Sequence, residues 1–396
     1  MSALPTRAHV LETLFQHWAP IARSETIPTI QALGRVPVQD LYAQVSIPVV
    51  RAAAMDGVAV ASSRFCTEIP DMSHWKIGED FCRADTGDDF DDRFDAVIPI
   101  EQVQFPPEGG LRLHDIASVQ PRDRVRPCGS TIREGQLLVP KHRQLRPFDL
   151  ASLAMGGIDQ VEVFAKPKVA FLPTGSELIP LGATVKRGCN IDSNSILAHN
   201  LLREMGAEPL CYPIVPDRPE NVAAALDRAL EEADVVLLNG GSSKGEEDFN
   251  ARLLEERGSA LFHWVAAAPG KPMCVALIGN KPVINLPGPP LAVLYGMDWC
   301  IRAIVHRLLH TPLPRRQTVP ATLTEPIQAP SDMEILCMME LWHTPSGYQT
   351  KQKPWRGGSV ADALGAGAIF ITELGRGSYQ PGETLEVTLL RGLEDF

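Results

Sequence analysis

Residues 237–249, LLNGGSSKGEEDF, end an apolar run in two glycines, two serines and a lysine, and then crowd three acids together. Gly240 and Gly241 can bring backbone close to a ligand or take positive φ. A turn between a strand end and a helix start suits an anion. The acids oppose that use. A carboxylate ~4 Å from a phosphate costs about 1 kcal/mol in water and ~4 kcal/mol at a partly buried rim. A helix terminus returns only ~0.3–1 kcal/mol. A divalent cation between carboxylate and phosphate reverses the sign, and magnesium is commonly held in this way. The segment therefore predicts metal-assisted handling of a phosphate-bearing ligand, with Asp248 as a metal ligand.

Four other turns have related chemistry. PTGSEL (173–178) sets Thr174, Gly175 and Ser176 ahead of Glu177, though a helix start capped by Ser176 is an equal reading. VPDRPE offers Asp217, as a metal ligand or as a plain helix cap. APGKP fixes Lys271 between Gly270 and Pro272, which makes it a held cation rather than a mobile surface charge. NLPGPP leads from Pro287 and Gly288 into a helix, so its backbone amides face the same rim. Glu177, Asp217 and Asp248 are the metal candidates. A calcium loop counted from Asp85 fails, because Phe90 and Ala96 stand where the glycine and the bidentate glutamate belong. The ten histidines show no H-E-x-x-H pattern, so a catalytic zinc site has no support.

The elements that must position these residues follow from periodicity. KVAFLPT, LCYPIV, DVVLLNG, ALFHWVA, PMCVALIG and PVINLPG are short apolar strands. They alternate with helical segments: SNSILAHNLLREMG with a Ser/Asn cap, the amphipathic ENVAAALDRALEEA, EDFNARLLEERG, and a long final PLAVLYGMDWCIRAIVHRLL. That alternation predicts a doubly wound parallel sheet over residues 166–312, with ligands beyond the carboxyl ends of its strands. The PTG, NGG and LPG turns all fall there. Residues 1–44 and 131–165 read as a helical linking domain, with a helix from Pro147 to Met155, and residues 45–130 as a β-rich insertion. Residues 313–396 read as a small C-terminal β domain.

Composition narrows the function class. A chain of 396 residues exceeds one core. Its charge of −11 argues against general nucleic-acid binding. No apolar run approaches the ~20 residues of a membrane span, and no signal peptide is apparent. Eight scattered cysteines without a C-x-x-C pair suit a reducing cytoplasm and buried apolar roles.

In order along the chain, RAAAMDGVAV (51–60), TGDDFDDRFDAVIPIE (86–101), PTGSEL, IDSNS, VPD, LLNGGSSKGEEDF, APGKP and LPGPP resemble the signatures of one family. It is the molybdopterin molybdenumtransferase family, that of MoeA and the gephyrin E domain. The resemblance spans nearly the whole chain. It implies a MogA-like molybdopterin-binding α/β domain, a β-barrel-like C-terminal domain, and a homodimer with its site shared between subunits. The implied reaction is magnesium-dependent insertion of molybdate into adenylylated molybdopterin, with release of AMP. By position, catalysis falls to Asp56, Glu177, Asp248 and Lys271. Substrate binding falls to Thr86, Thr174, Gly175, Ser176, Ser193, Asn194, Gly240, Gly241, Ser242, Ser243, Lys244, Pro287 and Gly288. A molybdopterin-adenylylating enzyme and molybdoenzyme maturation proteins are the implied partners.

The chain also departs from the family pattern. Ser130 and Thr131 replace two acids, Ser176 an aspartate, Ala268 a lysine and Pro289 an asparagine, while Ser242 and Lys244 stand where valines are common. These changes motivate an alternative: a catalytically weakened paralogue acting as a cofactor-binding or scaffold protein. A nucleotide-handling α/β protein of other specificity is the third reading.

Overall fold

Helix α1 (Arg7–His17) opens the fold, with the Thr6 hydroxyl accepting from His9 N at 3.1 Å and Val10 and Leu14 buried. The structure is a computed structural model that describes residues 4–114, 118–241, 249–354 and 360–390. Two compact units divide the chain. Residues 24–163 form one, and residues 1–23 with 164–396 the other.

In the first unit, β1 (Gly57–Val60) pairs antiparallel with β2 (Phe81–Ala84) on one side and β3 (Ala96–Pro99) on the other. Alternation along these strands buries both faces. Val58, Val60, Phe81 and Ile98 fill one core, and Ala59, Ala84, Phe94 and Val97 another. Position 57 must be glycine, since a Cβ there would stand 2.0 Å from the Ile98 carbonyl oxygen. Helix α2 runs over Pro147–Met155, as the sequence indicates.

The second unit carries a six-stranded sheet. Its strands are β4 (Lys168–Pro173), β5 (Glu208–Cys211), β6 (Val235–Asn239), β7 (Ser259–His263), β8 (Cys274–Ile278) and β9 (Lys281–Leu286), in the spatial order β5-β4-β6-β9-β8-β7. Strands β5, β4, β6 and β9 are parallel, and α3 (Asn194–Glu204), α4 (Pro219–Glu232) and α5 (Phe249–Arg257) lie in their connections. The expected all-parallel sheet needs correction at one edge. Strand β8 runs antiparallel to β9, and β7 antiparallel to β8. Only Gly279 and Asn280 connect β8 to β9, and two residues can join antiparallel strands but not parallel ones.

The side chains of Leu172, Leu238, Ala276 and Val283 pack with Val222, Leu226 and Leu254 of α4 and α5. The long final helix is α6 (Pro290–Gly296) and α7 (Arg302–Leu308), joined by a π-helical turn over Met297–Ile301.

Five C-terminal strands close into a barrel: β10 (Thr318–Leu323), β11 (Glu334–Thr344), β12 (Gly347–Gln352), β13 (Ala368–Ile371) and β14 (Thr384–Leu389). The cycle runs β11-β12-β10-β14-β13 and back to β11. Closure leaves no free sheet edge around a core of Leu323, Met339, Tyr379 and Val387. Helix α1 is tied to this barrel by Arg7, whose Nε and Nη2 each donate to Glu334 at 2.7 Å.

Candidate active site

Three parallel strands end in register. Pro173 stands beside Asn239, and Asn239 beside Leu286, so the turns that follow start at one level. Thr174 N donates to the Asn239 carbonyl at 2.8 Å and Gly240 N to the Leu286 carbonyl at 3.0 Å. Gly240 has φ +116°, and a Cβ there would meet the Thr174 carbonyl oxygen at 2.6 Å. Gly241 has φ +54° and abuts the Asn250 amide. Both glycines are demanded by close approach as well as by backbone angle.

The PTGSEL turn does not start a helix. Ser176 instead bonds Asp217 in both directions: Ser176 N donates to Asp217 Oδ2 at 2.9 Å, and Asp217 N to Ser176 Oγ at 3.3 Å. Helix α4 begins after Arg218 without a side-chain cap, so capping is not what Asp217 does. Glu177 follows in sequence and folds back over Gly175, where a Cβ would stand 2.8 Å from Glu177 Oε2. Two carboxylates thus border one turn. Among the described residues no cluster of three metal-binding side chains occurs. This donor set suits an ion such as magnesium that takes one or two protein carboxylates and completes its shell with phosphate oxygens and water. Asp248, Ser242, Ser243 and Lys244 lie outside the described residues.

Sequence reasoning missed the centre of the arrangement. Asn239 ends an apolar strand yet is 2% exposed. Its Nδ2 donates to the carbonyls of Leu286 (3.2 Å) and Pro287 (3.0 Å), and its Oδ1 accepts from Asn194 Nδ2 at 2.9 Å. Asn194 Nδ2 also donates to the Gly288 carbonyl at 2.7 Å. Each Nδ2 faces two acceptors, which fixes both amide orientations. The donor end of Asn194 is therefore committed inward. Ser193, expected with Asn194 to cap α3, makes no cap bond. Asp192 takes that role, accepting from Ser195 N at 3.0 Å and from Ser195 Oγ at 2.5 Å. Asn250, fully buried, donates to the Gly240 carbonyl at 3.0 Å. An amide at the end of a buried strand was the one signal available for Asn239.

Lys271 sits as expected in a constrained turn. Gly270 takes φ +119°, and the Lys271 carbonyl accepts from Val265 N at 2.8 Å. Its Nζ lies 5.9 Å from the Trp264 ring centre, with no carboxylate in ion-pair reach among the described residues. In the other unit, Thr86 donates to Asp56 Oδ1 through its hydroxyl (2.6 Å) and its N–H (2.7 Å). Those two bonds, the hydroxyl first, hold the Asp56 carboxyl below its ordinary range although the group is exposed.

Comparisons with known proteins agree with this architecture. Residues 6–157 match the family described as MoeA N-terminal region (domain I and II), and residues 170–307 the family described as probable molybdopterin binding domain. The molybdopterin molybdenumtransferase of Haemophilus influenzae is 28% identical, over 72% of this chain and 73% of its own. That of Bacillus subtilis is 26% identical, over 95% and 92%. The crystal structure of a molybdopterin biosynthesis MoeA protein from Pyrococcus horikosii superimposes with a TM-score of 0.81 at 27% identity, covering 99% of this chain and all of that one. An N-terminal region, a molybdopterin-binding α/β domain and a closed barrel, in this order, define a protein of molybdenum cofactor biosynthesis. The chain belongs to the MoeA, or molybdopterin molybdenumtransferase, family.

Proposed function

We propose that this protein is a molybdopterin molybdenumtransferase. It takes adenylylated molybdopterin, places molybdate in the dithiolene and hydrolyses the phosphoanhydride with water, releasing AMP and leaving the terminal phosphate on the pterin. The observation that carries this reading is the cradle of three strand-end turns, bordered by Glu177 and Asp217, in a chain aligned end to end with enzymes of that name. The alternative scaffold role is not favoured, since the relatives bear the enzyme's name over most of their length.

The residues divide the work. Thr174, Gly175, Ser176, Gly240, Gly241 and Gly288 present the turns, with Ser242, Ser243 and Lys244 adjoining in sequence. Glu177 and Asp217, with Asp248, would hold magnesium, which supplies positive charge to the phosphate oxygens as the P–O bond breaks. Lys271 offers a further fixed cation, and Thr86 lowers the Asp56 pKa. Supporting the proposed cytoplasmic location, no disulfide joins cysteines among the described residues. Among the described residues, no helix is long and apolar enough to cross a membrane. We further propose a homodimer, served by a molybdopterin-adenylylating enzyme before it and molybdoenzyme maturation proteins after it.

The test is reconstitution. Purified protein with adenylylated molybdopterin, magnesium and molybdate should activate a cofactor-free molybdoenzyme. Activation no greater than that of a mixture lacking the protein would overturn the reading.

A further inference from the structure

Asn239 touches every turn of the cradle. Its carbonyl accepts from Thr174 N and, at 3.1 Å, from Thr174 Oγ1; its side chain holds the Leu286 and Pro287 carbonyls and the Asn194 amide; Gly240 follows it directly. With Asn194 holding the Gly288 carbonyl, three successive carbonyls of the LPG turn are drawn toward buried amides. The peptide joining Pro287 to Gly288 is trans, so its N–H points opposite to its C=O. Pulling the Pro287 oxygen inward therefore turns the Gly288 N–H outward. Pro287, Pro289 and Pro290 have no N–H, which leaves Gly288 as the only backbone donor of residues 287–290. Gly288 is exposed, and its N–H has no acceptor among the described residues.

We propose that Asn239 is the positioning residue of this site: it locks the three turns into one cradle and, through the carbonyls it holds, aims the Gly288 N–H at an oxygen of the bound pterin phosphate. This rests on the function proposed above and adds to it a residue and a donor. Asn194 acts as its second, holding the turn rather than giving its donors to substrate. Its Oδ1 is buried and has no partner among the described residues.

Two pairs of variants test this in the full-length protein, with molybdopterin as the titrated probe. Asn239→Asp keeps the shape but loses both donors, and its carboxylate faces two carbonyl oxygens. Binding should weaken about tenfold at around pH 8. It should recover relative to wild type toward about pH 6, as burial raises the new carboxyl's pKa and a proton restores one donor. Asn239→Leu should be weak at both pH values. A pH-independent Asn239→Asp defect contradicts the proposal.

Gly288 offers a second route in case the buried variants fold poorly. Its surroundings leave open space for a Cβ, and its φ is not positive. Gly288→Pro removes the N–H and Gly288→Ala keeps it, so Pro should bind about tenfold more weakly than Ala. Equal affinities would refute the donor. If wild type binds molybdopterin but forms no AMP from the adenylylated substrate, the proposed reaction fails while the cradle is still decided by these ratios. Wild type that does not bind molybdopterin at all overturns both.

Discussion

Lys271 is held by backbone geometry, with no countercharge in reach among the described residues. Gly270 and Pro272 restrict the main chain, Val265 bonds the Lys271 carbonyl, and Trp264 lies near the ammonium. Little backbone freedom is left to lose on meeting an anion. Lys271→Ala should therefore weaken binding of a pterin phosphate by ~1.5–3 kcal/mol, more than Lys244→Ala. Calorimetric titration of both variants decides it, and equal small losses would refute the ranking. The Asp56–Thr86 pair gives a second test at this scale. Thr86→Val keeps the N–H bond and removes the hydroxyl bond, so the Asp56 pKa should rise toward 3.8 in a carboxylate NMR titration. A lowered folded pKa contributes stability that is present above 3.8 and lost as pH falls through the folded pKa, so the variant should draw a smaller contribution from Asp56 than wild type. An unchanged Asp56 titration would show that the hydroxyl bond is not its cause. The candidate turns could be read from sequence because glycine, proline and acids mark them locally. Asn239 could not, since its partners lie at Asn194 and at Leu286–Pro287, and only the sheet brings them together.

At the scale of elements, apolar runs and helical spacing located the strands and helices of the α/β domain. Strand direction escaped because alternation of strand and helix was extended past α5, where it stops. The Gly279–Asn280 pair between two apolar runs was the legible signal, with Gly279 at φ +60° as a tight hairpin requires. The π-helical turn left no trace in the spacing of apolar residues, since Met297, Trp299, Cys300 and Ile301 are all buried. Helix α7, just beyond it, carries a pH-sensitive group. His306 is buried, and burial first, then the Arg302 charge, push its pKa down to about 4. Between an ordinary 6.5 and about 4 the unfolded chain binds a proton that the folded chain refuses. Stability should fall as pH drops through that window, by at most about 1.4 kcal/mol per pH unit. Urea denaturation at a series of pH values should show a shallower slope for His306→Asn. A slope equal to that of wild type would assign the acid sensitivity elsewhere.

At the scale of the whole molecule, β-sheet, α/β sandwich and closed barrel each have their own core. Light scattering at micromolar concentration should give a dimer mass, and a monomer would contradict the proposed assembly. If subunits share the site, mixing Asp56→Asn with Lys271→Ala protein should restore activity that neither has alone. The central claim is that the cradle and its acids serve molybdenum insertion and not mere cofactor binding. Its most direct measurement is the release of AMP from adenylylated molybdopterin by purified protein with magnesium, with and without molybdate. The account predicts multiple turnovers of AMP that depend on magnesium and vanish in Asp248→Asn, whose binding of molybdopterin persists. Tight binding of the substrate without AMP release, or wild-type release by Asp248→Asn, would contradict it.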